Sequence, residues 1–284
     1  MGATPRYSSS ARVVEVPAKW ILLGEHSVIR GGTAVAFQHP HFKMKLTYDG
    51  EASSDFRILG GEQGANQAIQ KILVELGVAP RGTLHLESTI PMSSGLGSSA
   101  ALCVGLTRIF AEELGLAGEN EFEVARRCEN VFHGKSSGLD IAAVSATGPI
   151  CFRSGEFREI QPSSTLGSLK GLQFRFHDTG LRSSTRTAVQ KVQDLGRQDL
   201  DQEMSELAQR AASLLESSDS VTQQQNSLGP LMNRSFEIFR EWGLVFPAFE
   251  QQRDELIQSG ALGVRLTGSG LGGFLVSLWK TPGL

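Results

Sequence analysis

Residues 91–100 read Pro-Met-Ser-Ser-Gly-Leu-Gly-Ser-Ser-Ala and run from a strand pattern straight into a long amphipathic helix pattern. Few backbones can make that junction. Gly95 and Gly97 can take positive φ and bring bare N–H groups close to a ligand. The helix beginning just beyond adds oriented N–H donors and a partial positive charge. Ser94, Gly95, Leu96, Gly97, Ser98, Ser99 and Ala100 thus form a nest for phosphate oxygens, with the Ser98 and Ser99 hydroxyls placed for a phosphate or its metal. A serine-capped glycine turn would use the same residues, so the loop has to be weighed with the rest of the chain.

Apolar residues make up 40% of the 284 positions and charged residues 20%, the balance of a globular protein rather than a disordered one. A net charge of −3 gives no reason to expect nucleic acid or an anionic membrane as partner. Cys103, Cys128 and Cys151 have no metal-ligand spacing, and so sparse a set suits a reducing, cytoplasmic setting. Cys103 and Cys128 fall on apolar helix faces, where core packing is their expected role.

Strands are predicted at Arg12–Val16, Trp20–Leu23, Phe42–Tyr48 and Thr83–Thr89, with a helix around Ala65–Leu76 capped by Gly77. The helix after the glycine loop is expected to run to Gly115, and a second from Glu121 to Phe132. Gln161–Gly171, rich in serine and glycine, reads as a linker. Beyond it come a strand at Leu172–Phe176 and helices at Thr185–Leu195, around Leu200–Leu215 and around Leu228–Phe239. Strands at Val264–Thr267 and Phe274–Trp279 close the chain. The pattern is α+β in two domains, divided as 1–165 and 166–284.

Three further clusters carry chemistry. Leu266-Thr267-Gly268-Ser269-Gly270-Leu271-Gly272-Gly273 has more glycine than a hairpin needs, and suits backbone that must approach a ligand closely. Lys19 precedes a short apolar strand that ends in Gly24-Glu25-His26. Glu129 lies on a helix beside its buried face, and Asp140 follows the loop Ser136-Ser137-Gly138. A carboxylate held by a helix can bind a metal, and one on a loop can take a proton from a hydroxyl. Taken singly, each also reads as a surface lysine, a turn residue or an exposed acid.

In this order the clusters resemble the GHMP kinase superfamily, and within it the mevalonate kinase branch most. The resemblance rests on Pro17-Ala18-Lys19 through Gly24-Glu25-His26-Ser27-Val28-Ile29-Arg30-Gly31-Gly32, on the Gly95–Ala100 loop, on Glu129 through Asp140, and on the C-terminal glycine motif. It implies an N-terminal domain like the ribosomal S5 second domain and a ferredoxin-like C-terminal domain. The implied activity is ATP- and Mg²⁺-dependent phosphorylation of the primary hydroxyl of mevalonate. Another small alcohol (phosphomevalonate, homoserine or a sugar) and a non-catalytic ligand-binding relative stay as alternatives. A homodimer stays open.

Residue by residue, the resemblance makes Asp140 and Lys19 catalytic and gives the nucleotide Ser94 through Ala100. Ser98, Ser99 and Glu129 would hold the metal. Glu25, His26, Ser137, Thr185 and Gly268 would meet the acceptor. Arg265, Leu271 and Phe274 depart from the family pattern, standing where Lys, Gly and Cys are frequent.

Overall fold

The computed structural model describes residues 11–61, 64–116, 121–133, 136–161 and 171–281. They form two compact units that do not follow chain order. Unit one takes its chain up to Lys19, then Gln38–Pro91 and Gly97–Ser145; unit two takes Trp20–Phe37, Met92–Leu96 and everything from Ala146 onward. Residues 162–170 of the linker expected at Gln161–Gly171, and with them the division near residue 165, lie outside the described residues.

β1 (Arg12–Leu23), whose residues up to Lys19 belong to unit one and the rest to unit two, is a single strand where two short ones were expected. Pro17 at its centre divides the pattern by sequence alone, yet burial continues through it. The later residues of β2 (Thr33–Asp49) pair antiparallel with β4 (Thr83–Ser88), from Met44 opposite Ser88 to Asp49 opposite Thr83. β3 (Arg57–Gly60) lies parallel to β4, which requires a crossover. That crossover is α1 (Ala65–Leu76), whose Ile69, Ile72, Leu73 and Leu76 are buried and whose Gly77 cap is left-handed.

The helix after the glycine loop, α2 (Ser98–Ile109), stops six residues earlier than expected. Arg12 explains the stop. Its guanidinium donates to the Ile109 carbonyl at 2.6 Å, an acceptor that the helix would otherwise need, and forks onto Glu113 at 2.7 and 2.8 Å. Gly105 lets α2 settle on the sheet, because a Cβ there would stand 2.1 Å from a Leu46 methyl. α3 (Glu121–His133) and α4 (Leu139–Ser145) complete unit one. Cys103 and Cys128 are both buried, and burial pushes the Cys128 thiol up to about 12.

In unit two the first residues of β2 pair with β5 (Ile150–Arg153), which pairs with β6 (Glu156–Glu159). A second sheet has the order β7 (Gln173–Asp178), β9 (Phe274–Trp279), β8 (Gly263–Thr267), all antiparallel. Four helices accompany it: α5 (Thr185–Leu195), α6 (Gln198–Glu216), α7 (Val221–Glu241) and α8 (Pro247–Gln258). α7 opens seven residues before the apolar stripe that predicted it, because a capping box between Ser220 and Gln223 sets its start. Among the described residues no helix is long and apolar enough to cross a membrane.

Candidate active site

Unit one gathers Lys19, Glu129 and Asp140. Lys19 lies in the part of β1 that is buried on both faces, with a side chain only 3% exposed. Its Nζ stands 3.0 Å from Asp140 Oδ1, and the Asp140 side chain is 32% exposed. The pair therefore joins a buried cation to a carboxylate that solvent can reach. Gly97 sits over the lysine stem at φ 76°; a Cβ there would fall 2.9 Å from Lys19 Cγ. Asp140 was expected on a loop, and instead occupies the first turn of α4. The Ser137 hydroxyl caps that turn by accepting the Leu139 N–H at 3.2 Å, so Ser137 here serves the backbone beside Asp140.

Glu129 is 1% exposed and accepts a hydrogen bond from the Ser136 hydroxyl. Ser136 is itself fixed, its N–H donating to Asn130 Oδ1 at 2.7 Å and its Oγ accepting from the Gly138 N–H at 3.0 Å. Burial, and then the field of Asp140, push the Glu129 carboxyl up to about 8, against the pull of Ser136 and Lys19. Ionising both carboxylates beside one lysine would leave an excess of negative charge, which a bound cation would relieve. Glu129 and the half-buried Ser98 and Ser99 of the α2 first turn each offer hard oxygens. They fit Mg²⁺, which takes few protein ligands and keeps phosphate and water oxygens for the rest. No group of three His, Cys, Asp or Glu side chains that could hold a metal ion occurs among the described residues.

Unit two gathers Glu25, His26 and Gly268. The Ser27 N–H donates to the Glu25 carbonyl at 2.7 Å across His26, whose φ is 62° and ψ −50°. This is a γ-turn of the rarer, strained kind. It turns Glu25 and His26 into the unit, where each is 3% exposed. Glu25 Oε2 accepts from Arg265 Nη2 at 2.6 Å, and Oε1 accepts the Gly268 N–H at 3.2 Å. Arg265, fully buried, also donates to the Leu266 carbonyl at 2.6 Å and to the Leu22 carbonyl. Burial pushes the Glu25 carboxyl up, while Arg265 pulls it down.

His26 Nε2 bonds the Ser269 carbonyl at 2.9 Å. Thr267 Oγ1 accepts the Ile21 N–H at 2.9 Å and donates to the Ile21 carbonyl at 3.0 Å. The C-terminal glycine motif, third in chain order after those at Gly31-Gly32 and Gly95–Gly97, is thus tied to the end of β1 by side chains, and it meets Ser94 and Gly95 in turn. A Cβ on Gly268 would stand 3.1 Å from Gly95 Cα, and one on Gly273 would stand 2.5 Å from the Ser94 carbonyl. Leu271, where the family pattern has glycine, does adopt a left-handed φ of 60°, with its N–H on the Leu244 carbonyl at 2.9 Å. Thr185 begins α5 and is exposed.

Sequence reasoning did not find Ser136, Asn130 or the Arg265 partnership. A signal for the last was available. Arg265 interrupts an apolar strand, and a cation inside a buried strand needs a buried acceptor.

Burial pushes the His26 imidazole down from 6.5 to about 4. Between those values the unfolded chain binds a proton there that the folded chain does not. Stability from His26 is therefore complete above pH 6.5 and lost as pH falls toward 4. Glu129 acts in the opposite sense, so the His26 part is read as a difference. The stability gap between parent and His26→Gln, from urea unfolding, is expected to narrow as pH falls from 7 to 5. A gap that stays constant contradicts a buried neutral imidazole.

A buried lysine against a helix-borne aspartate, with a helix carboxylate nearby, is what unit one offers, and it suits phosphoryl transfer to a small molecule. Models of the GHMP kinase N-terminal and C-terminal domains match residues 64–148 and 211–283. The chain belongs to the GHMP kinases. The mevalonate kinase of Aeropyrum pernix is 31% identical over 93% of this chain and 87% of its own. That of Thermococcus gammatolerans is 28% identical over 94% and 88%. Among solved structures, the L. major mevalonate kinase in complex with R-mevalonate superposes with a TM-score of 0.80, at 24% identity over 99% of this chain and 91% of that one.

Proposed function

We propose that this protein transfers the γ-phosphoryl group of ATP to the primary hydroxyl of mevalonate, giving 5-phosphomevalonate and ADP. The observation that carries the reading is the Lys19–Asp140 pair at 3.0 Å, with Glu129 held beside it in a buried, hydrogen-bonded setting. The mevalonate kinase relatives support the choice of acceptor.

Phosphoryl transfer asks a protein chiefly for alignment and charge neutralisation. Asp140 accepts the proton of the acceptor hydroxyl while that oxygen bonds to the γ-phosphorus and the bond to the ADP oxygen breaks. Lys19 keeps Asp140 in place and offsets negative charge as the phosphoryl group moves. The N–H groups at the start of α2, which a helix cannot pair internally, receive phosphate oxygens together with the backbone of Ser94 through Ala100. Ser98, Ser99 and Glu129 would hold Mg²⁺, which supplies charge neutralisation on the nucleotide phosphates. Glu25, His26 and Gly268 serve the acceptor side through the third glycine motif they fasten, and Ser137 serves through the α4 turn. Thr185, exposed at the start of α5, is the acceptor-side residue with a free approach.

A coupled ADP-release assay with MgATP and a panel of mevalonate, phosphomevalonate, homoserine and galactose tests the reading. Turnover confined to mevalonate is the expected result; turnover confined to another member would reassign the acceptor, and silence would overturn the kinase. Glu129→Gln is expected to raise the Mg²⁺ concentration needed for half-maximal rate by about tenfold or more. Mevalonate binding without nucleotide, followed by calorimetry, should be unchanged. Equal losses in both would mean that the substitution has damaged the fold instead.

A further inference from the structure

The corner that ends α7 touches both acceptor-side motifs of unit two. Trp242 caps the helix, is fully buried, and places its ring 5.2 Å from that of His26 at 63°. Phe239 stands 5.7 Å from His26 and 5.6 Å from Trp242, so three rings enclose one another. Past the helix, Leu244 accepts the Leu271 N–H, and a Cβ on Gly270 would stand 2.9 Å from Leu244 Cβ and 3.2 Å from a Phe239 ring carbon. The same corner therefore supports the γ-turn at His26 and the third glycine motif.

Two polar atoms in this enclosure have no hydrogen-bond partner among the described residues: His26 Nδ1 and Trp242 Nε1. Their chemistry is complementary. The Ser269 carbonyl can only accept, so the neutral His26 carries its proton on Nε2 and keeps a lone pair on Nδ1. An indole nitrogen can only donate. A buried acceptor without a donor, ring against ring with a buried donor without an acceptor, is costly twice over unless the two serve each other.

We infer that Trp242 is a positioning residue: its Nε1–H is the donor for His26 Nδ1, directly after a small turn of the indole or through one buried water. The bond holds the strained turn that carries Glu25 and His26, and through them the backbone of Gly268 and Ser269. It fixes His26 as the Nε2–H tautomer, so that His26 supports the loop and does not exchange protons during turnover. Only the effect on the acceptor rests on the proposed function; the bond belongs to the folded chain alone.

The test is ¹⁵N NMR of histidine-labelled protein, with His26→Gln supplying the assignment. In the parent, His26 Nδ1 is expected to resonate as an unprotonated, hydrogen-bonded nitrogen. Trp242→Phe keeps an aromatic ring and removes the donor, and should move Nδ1 toward its unbonded position while Nε2 stays. Adding mevalonate to the parent should leave Nδ1 in place. In the same variant the KM for mevalonate should rise about tenfold, with kcat changed by less than about twofold.

An Nδ1 signal indifferent to Trp242→Phe overturns the proposal. So does one that moves when mevalonate is added to the parent, because the lone pair then serves the acceptor hydroxyl. If Trp242→Phe does not fold, the parent decides: an indole proton of Trp242 with the shift and exchange rate of an unbonded indole overturns it. A parent that shows the bonded Nδ1 yet does not phosphorylate mevalonate would sink the proposed acceptor and leave this inference standing.

Discussion

An Asp140→Asn protein is expected to bind ATP within about twofold of the parent and to turn over about 1,000-fold more slowly. The substitution keeps the shape of the side chain and removes its charge. Asp140 reaches solvent while its partner Lys19 is buried, so the pair presents one face to a substrate and anchors the other inside the unit. Asparagine cannot take the acceptor proton, and it leaves the buried Lys19 cation without that carboxylate. Some stability will therefore be lost too, and circular dichroism melting should accompany the rate measurement. Nucleotide binding, followed with a fluorescent ATP analogue, separates the two effects. A variant that turns over at near-parent rate would remove Asp140 from the chemistry.

Arg265→Met is expected to destabilise the protein by about 3–5 kcal/mol, because it leaves the Glu25 carboxylate buried and unpaired. The size follows from the setting: Arg265 is fully buried, Glu25 is 3% exposed, and they meet at 2.6 Å. Arg265 also serves the carbonyls of Leu22 and Leu266, which no thioether can do. Arg265→Lys should lie between parent and Met, since one ammonium cannot reach three acceptors held apart in a fork. Adding Glu25→Gln to Arg265→Met should recover part of the loss. Urea unfolding of the four proteins measures it. If Arg265→Met proves as stable as the parent, the pair is not the strut that the geometry implies.

Much of the fold was legible because its helices and strands carry clean periods. Ile69, Ile72, Leu73 and Leu76 announced α1, and the Phe274–Trp279 strand was found at its true limits. Where the reading failed, a distant residue intervened. α2 ends at Ile109 because Arg12 takes its carbonyl, and no local pattern shows an arginine 97 positions away. α4 was missed because seven residues are too few to display a helical period. The interleaved units have the same origin, since a strand shared by two units has no sequence signature.

The site followed the same division. Lys19, Glu129 and Asp140 could be picked out by motif, and the structure draws them together in one unit. The manner in which Glu25 and His26 work was not legible. Side chains that look ready for a ligand in the sequence are turned inward by a γ-turn whose geometry depends on Ser269, Arg265 and Phe239, all more than 200 positions away.

The bonds between Thr267 and Ile21 join residues 246 positions apart, which orders events during synthesis. Unit one has all its residues once Ser145 has been made, and can close while translation continues. Trp20–Phe37 cannot: Ile21 waits for Thr267 on β8, which is made 246 residues later. A nascent chain of this protein therefore carries an apolar segment, Trp20-Ile21-Leu22-Leu23, without its final cover until β8 has been made. Shielding by a chaperone matters most in that interval, and a stop codon before Thr267 would be felt first at residue 21.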